Sequence, residues 1–166
     1  TVITFHLNPN VKWHDGEPFT AQDMVFAAQV ATSPETTVTR RSYFASLEGT
    51  DDTGVCENME ELGVVAVDDH TLEYHFKTGV AISTFLYVVA QRYYPMPFHL
   101  LKDVPFDQME TNEYWQHPVG TGSFMFDSAV SGERVTLTVN PDYFLGMANM
   151  DTVVFGVMNS TTLAAE

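Results

Sequence analysis

Apolar and polar positions change period along the chain, and each change predicts an element. Val2 to Leu7 is apolar and β-branched enough to predict a strand. Asn8-Pro9-Asn10 turns the chain, and Trp13-His14-Asp15-Gly16-Glu17-Pro18 predicts a second tight turn in which Gly16 supplies positive φ. Thr20 reads as an N-cap with Asp23 in capping-box position. The helix that follows, Ala21 to about Ala31, sets Met24, Val25, Ala28 and Ala31 on one face, and Ser33-Pro34 ends it.

Residues 35 to 61 show little periodicity, apart from a short helix expected over Arg40–Phe44 and an acidic, glycine-containing loop from Glu48 to Glu61. A hairpin follows, with arms Gly63–Asp68 and Thr71–Phe76 about a turn at Asp69-His70. In its second arm Leu72, Tyr74 and Phe76 face one way and Thr71, Glu73 and His75 the other. Val80–Ala90 predicts a buried helix, and Thr111–Trp115 a short one. A glycine turn over Pro118–Phe124 leads into a strand from Phe124 to Asp127. Ser131-Gly132-Glu133 turns it into a partner where Val135, Leu137 and Val139 alternate with Arg134, Thr136 and Thr138. Asn140-Pro141-Asp142-Tyr143 turns again, and Thr152–Met158 predicts a last strand. Helices interspersed with hairpins predict an α+β class with mixed or antiparallel sheets and packed helices.

Composition narrows the function. With 45% hydrophobic and 13% aromatic residues among 166, the chain has enough apolar surface for a core. Its longest apolar stretch, Val80–Ala90, is too short to span a bilayer. Seven Lys and Arg stand against 22 Asp and Glu, a formal net charge of −15, which argues against nucleic acid and anionic membrane surfaces as partners. Such a balance reads first as a solubilising acidic surface, and it also suits a high-salt proteome. Cys56 is the single cysteine, which excludes an internal disulfide and a cysteine-based zinc cage. Thr1–Leu7 reads as a strand entered midway and Ser160–Glu166 as an interrupted helix start, so the expectation is a piece of a longer polypeptide.

Candidate chemistry is sparse. The six histidines include His14 beside Asp15, His70 beside Asp68 and Asp69, and His75 sharing a strand face with Glu73, but none has the spacing of a metal site and all read as turn or surface residues. Gly120-Thr121-Gly122 lacks the lysine and register of a phosphate loop and reads as a turn. No nucleophile elbow is present. Tyr43-Phe44 and Tyr93-Tyr94 are aromatic enough to line a small-molecule or peptide cleft, and Arg92 beside them suits a carboxylate; ordinary core and rim packing is the plainer reading of the same residues.

Thr4-Phe5-His6-Leu7 followed by Val11–Asp23, then Val67–Leu72, Pro97–Leu100, Pro118–Phe124 and Asn140–Tyr143 together resemble, in order, the family 5 extracellular solute-binding proteins, the peptide- and nickel-type receptors of ABC importers. Ser123 stands where the family's turn has proline, and Phe144 follows Tyr143 where a tryptophan is usual. The resemblance implies part of lobe one of a two-lobed periplasmic-binding-protein type II fold. It divides the chain into a main-sheet subdomain of about 1–34 and 118–166, and a smaller one of about 35–117 holding the 63–76 hairpin. It implies a receptor and no enzyme, without cofactor or metal. Its partners would be a peptide or other small solute and ABC permease subunits, with no nucleic acid and a membrane link only through a lipid anchor. The location implied is outside the cytoplasmic membrane. Tyr43, Arg92 and Tyr93 become candidate ligand-wall residues, and Trp13, Asp15, Gly16, Gly120 and Gly122 structural turn residues. Two rival readings are a metal-dependent hydrolase using His14, Asp15 and Glu17, and a standalone interaction module.

Overall fold

The computed structural model describes residues 1–39, 41–79, 83 and 93–157, and the chain divides into two compact units. The first comprises Thr1–Pro9 and Phe19–Asn112; the second comprises Asn10–Pro18 and Glu113–Glu166. The fold is α+β with antiparallel sheets.

In the first unit, β1 (Val2–His6), β2 (Val64–Asp68) and β3 (Thr71–His75) form a sheet in the order β1-β3-β2. The alternation of the second hairpin arm is realised: Leu72, Tyr74 and Phe76 are buried while Thr71, Glu73 and His75 keep partial exposure. On β1, Phe5 pairs with Leu72 and stands edge-on to Tyr74, ring centroids 5.8 Å apart. The grouping expected for β1 is therefore corrected. It belongs with the 63–76 hairpin, not with the strands after residue 124, and the unit boundary falls near residue 112 instead of splitting 1–34 from 35–117. Local pattern makes β1 a strand but leaves open which edge satisfies its backbone groups. Here the β3 edge does so, with Phe5 covering the apolar face of Leu72 and Tyr74.

Helix α1 (Ala21–Thr32) has its expected start and runs to Thr32. Its buried face differs from the one read off the sequence. Met24, Val25 and Ala31 are only half-buried, whereas Ala21, Phe26, Ala27, Ala28 and Val30 are buried. The cause is packing on two sides. Ala21 and Ala28 join the core of Phe44, Leu47, Leu72, Tyr74 and Phe76, while Phe26 meets Phe98 edge-on at 5.5 Å and Phe106 at 6.3 Å. A helix covered on both sides does not show the single stripe of a surface helix.

The other helical elements given in full by the described residues are short. They are 3₁₀ turns at Arg41–Phe44, Met59–Glu61, Phe106–Thr111 and Glu113–Gln116, and a one-turn helix at Phe98–Leu101. The helix expected over Thr111–Trp115 is thus two 3₁₀ turns broken at Asn112. The helix expected over Val80–Ala90 lies, apart from Ser83, outside the described residues.

In the second unit, β4 (Phe124–Val130), β5 (Arg134–Val139) and β6 (Thr152–Gly156) form an antiparallel sheet in chain order. β4 runs three residues past the expected end, through a bulge between Phe126 and Ser128, and Gly132 turns it with φ 71°. Among the described residues of this unit only Val11, Trp13 and Asn140 are buried, while Leu145, Met147, Met150, Val154, Phe155 and Val157 are exposed.

Candidate functional site

The densest polar construction in the second unit grows from the Trp13–Pro18 turn. Trp13 donates its N–H to the Glu17 carbonyl at 2.8 Å and accepts from the Gly16 N–H at 2.9 Å, while Asp15 Oδ1 accepts from the Glu17 N–H at 3.2 Å. Gly16 takes φ +95°, as the turn requires. With Trp13 only 3% exposed, the turn is anchored.

His14 then binds the glycine turn from three directions. Its backbone N–H donates to the Gly120 carbonyl at 2.8 Å, its Nδ1 accepts from the Gly120 N–H at 3.1 Å, and its Nε2 lies 3.0 Å from the Gly122 carbonyl. Because Nδ1 accepts, the neutral ring carries its proton on Nε2 and donates it to Gly122. The Gly122 carbonyl also accepts from Asn140 Nδ2 at 3.0 Å, and buried Asn140 accepts from the Asp142 N–H at 3.0 Å. Two turns far apart in sequence are thereby locked to one imidazole. A Cβ on Gly120 would stand 3.2 Å from His14 Cε1, so glycine there lets the ring lie against the backbone.

This arrangement decides several sequence expectations. Both ring nitrogens of His14 are occupied by backbone groups, which removes it from the proposed hydrolase set of His14, Asp15 and Glu17. Among the described residues no cluster of three or more His, Cys, Asp or Glu side chains has a metal-holding arrangement. His14 is more than a surface turn residue. Gly122 has no positive φ and, within 4 Å, its added Cβ would meet only the Phe124 carbonyl at 3.9 Å, so no left-handed backbone and no close approach calls for glycine there. It contributes through its carbonyl. Two open cavities flank this lock. One, about 260 Å³, has Asp15, His117, Met125, Phe126 and Asp127 on its walls; the other, about 230 Å³, has Lys12, Trp13, Asn140 and Asp142.

Of the candidate ligand-wall residues, Tyr43 and Tyr93 are described, both in the first unit. Tyr43 sits half-buried on the Arg41–Phe44 turn. Tyr93 packs against the core: its ring meets Phe44 edge-on at 5.3 Å and its hydroxyl donates to the Met24 carbonyl of α1. Burial, with a smaller contribution from Tyr74, pushes its phenol pKa well above the ordinary value. The two aromatic segments meet through Phe44. Arg92 lies outside the described residues. Tyr94, by contrast, is 75% exposed.

Sequence reasoning missed what holds the Tyr93–Phe98 segment in place. Asp23 is 3% exposed, and its Oδ2 accepts from the Thr20 N–H at 2.8 Å while its Oδ1 accepts from the Phe98 N–H at 2.9 Å. The capping-box reading identified the first contact. Nothing local signals the second.

Comparison with known proteins places this architecture. The family model described as bacterial extracellular solute-binding proteins, family 5 middle, matches residues 1–166. The oligopeptide-binding protein AppA of Bacillus subtilis is 30% identical over 159 residues, which are 95% of this chain and 26% of that protein. The periplasmic oligopeptide-binding protein OppA of Escherichia coli is 33% identical over 153 residues, 86% of this chain and 26% of that protein. The solved structure of Bacillus subtilis AppA in complex with a nonapeptide superposes with a TM-score of 0.82 at 28% identity, covering 98% of this chain and 29% of that one. The chain thus spans about a quarter of the length of the curated relatives it matches. With the family model matched from end to end and the α+β fold shared, the chain belongs to the family 5 bacterial extracellular solute-binding proteins.

Proposed function

We propose that this chain is part of the substrate-binding component of an ABC importer, taking up peptides or similar small solutes outside the cytoplasmic membrane and presenting them to permease subunits. The observation that carries this reading is the end-to-end family match joined to the superposition on a peptide-bound receptor. The receptor does no chemistry on its ligand and needs no cofactor, and a lipid anchor or a periplasm keeps it near the permease. Affinity arises from enclosure of the solute between two walls, of which this chain supplies part. Tyr43 and Arg92 are assigned to the solute-facing wall, Arg92 for a peptide carboxylate, and Tyr93 fixes that wall through its contacts with Phe44 and α1. Backbone recognition of extended peptides would make the site tolerant of side-chain identity.

The exposed apolar residues of the second unit, Leu145, Met147, Met150, Val154, Phe155 and Val157, fit a chain that works as part of a larger receptor. The test is calorimetry with a pool of di- to pentapeptides, on this chain and on a complete receptor containing it. Losing about 4 kcal/mol of contact turns micromolar affinity into roughly millimolar affinity, so the complete receptor should bind and the chain alone should bind weakly. Micromolar binding by the chain alone would refute two-walled enclosure. A complete receptor indifferent to every peptide would refute the peptide assignment.

A further inference from the structure

The peptide reading leaves one property of the molecule unused, its charge. The excess of carboxylates over cations, 22 to 7, is not hidden in the fold. Among the described residues every Asp and Glu is exposed except buried Asp23 and half-buried Glu73. The exposed carboxylates are spread over both units, from Asp15, Glu17, Asp127, Asp142 and Asp151 in the second to Glu35, Asp103 and Asp107 in the first, so this is a property of the whole surface.

Where these carboxylates have fixed partners, several of the partners are uncharged. Asp51 Oδ1 accepts from the Thr53 hydroxyl at 2.7 Å and from the Thr53 and Val55 N–H groups at 2.8 and 2.9 Å. Asp68 accepts from the His70 N–H at 2.8 Å, and Glu110 from the Thr37 hydroxyl and N–H. Glu48 and Glu73 converge on the single imidazole of His75, at 4.0 and 2.9 Å. Hydrogen bonds from hydroxyls and amides favour the ionised carboxylate, and Asp51, Asp68 and Glu110 are held below the usual carboxylate range by them. Such partners do nothing to cancel the charge. Only three lysines, Lys12, Lys77 and Lys102, are spread among these acids.

A compact chain at net charge −15 carries self-repulsion that the expanded chain relieves. The repulsion acts over a Debye length of about 30 Å at 0.01 M salt, roughly the span of a unit, and over only about 3 Å at 1 M. We infer that the fold is built for concentrated salt: dissolved cations, acting as a screening atmosphere and not at a dedicated site, are required for its full stability. The inference does not depend on which solute the receptor takes.

The experiment is thermal unfolding of the chain in NaCl from about 0.02 to about 1 M, repeated in choline chloride at matched ionic strength. The melting temperature should climb by about 10 °C or more, with most of the rise present in both salts. A second arm uses the quadruple variant Asp52→Lys, Glu57→Lys, Glu60→Lys and Glu113→Lys at four exposed positions, each swap removing one negative charge and adding one positive, so that the net charge goes from −15 to −7. It should melt higher than the parent in low salt and show a shallower salt dependence. The corresponding quadruple glutamine variant, at −11, should fall between them and serves if the lysine variant does not fold. A melting temperature that is flat across the salt range, or variants with the parent's slope, would overturn the inference. So would a rise confined to sodium, which would mean a specific ion site.

Discussion

Replacing Asp23 with alanine should destabilise the first unit by about 3–5 kcal/mol. The carboxylate is buried at 3% exposure and divides its oxygens between two backbone donors, Thr20 N–H at 2.8 Å and Phe98 N–H at 2.9 Å. Hydrogen bonds to a charged acceptor contribute about 1.5–3 kcal/mol each, and a buried N–H left without a partner adds a desolvation cost of similar size. Some of that sum is recovered because water can reach Thr20, which is only half-buried. Asparagine keeps the shape and one acceptor oxygen but turns an NH₂ toward the second donor, so Asp23→Asn should cost about half as much as alanine. The assay is urea unfolding followed by far-ultraviolet circular dichroism, which reports α1; Trp13 and Trp115 both lie in the second unit, so their fluorescence reports that unit separately. The Ala variant should lower the dichroism midpoint, with Asn intermediate. A loss below about 1 kcal/mol in Asp23→Ala would show that the two contacts do not hold the 93–98 segment to the helix, and the argument would fail.

Two glycines with similar positive φ should respond very differently to alanine. Gly16 has φ +95° and open space around it, so Gly16→Ala carries only conformational strain of about 1–3 kcal/mol. Gly54 has φ +87°, but its added Cβ would stand 2.0 Å from the Arg41 carbonyl oxygen, so Gly54→Ala must also displace backbone and should lose several kcal/mol more, about enough to unfold the unit. Equal melting temperatures for the two variants would contradict this. Alkaline stability follows from the tyrosines: burial holds the phenols of Tyr74 and Tyr93 above the ordinary value of 10.0, so the folded chain keeps protons that the unfolded chain releases. Stability should be complete below about pH 10 and fall as pH rises beyond it, and Tyr93→Phe should flatten that fall while costing about 1 kcal/mol at neutral pH through the lost bond to Met24. An unchanged slope in denaturation measured against pH would count against it.

The sequence by itself determined the elements whose causes are local. Alternation of Leu72, Tyr74 and Phe76 with Thr71, Glu73 and His75 fixes the hairpin and the face it buries, because successive strand side chains point to opposite sides. Thr20 and Asp23, three residues apart, start α1, and Gly16 supplies the positive φ that its turn demands. The ordered motifs also identify the family, since each is a short run of neighbouring residues. Only the tertiary structure decided which partners complete these pieces. β1 pairs with β3 and not with the later strands, because any strand edge offers the same backbone groups and the choice is made by the apolar face available beside it. Asp23 reaches Phe98 across 75 residues, and His14 reaches Gly120 across 106, contacts with no local periodicity to announce them. Tyr93 looked like cleft lining by its residue type, which is equally suited to packing; its hydroxyl found the Met24 carbonyl and its ring found Phe44. Short-range pattern specifies what each segment can form, whereas burial and hydrogen-bond satisfaction over the whole unit select which of the possible contacts is made.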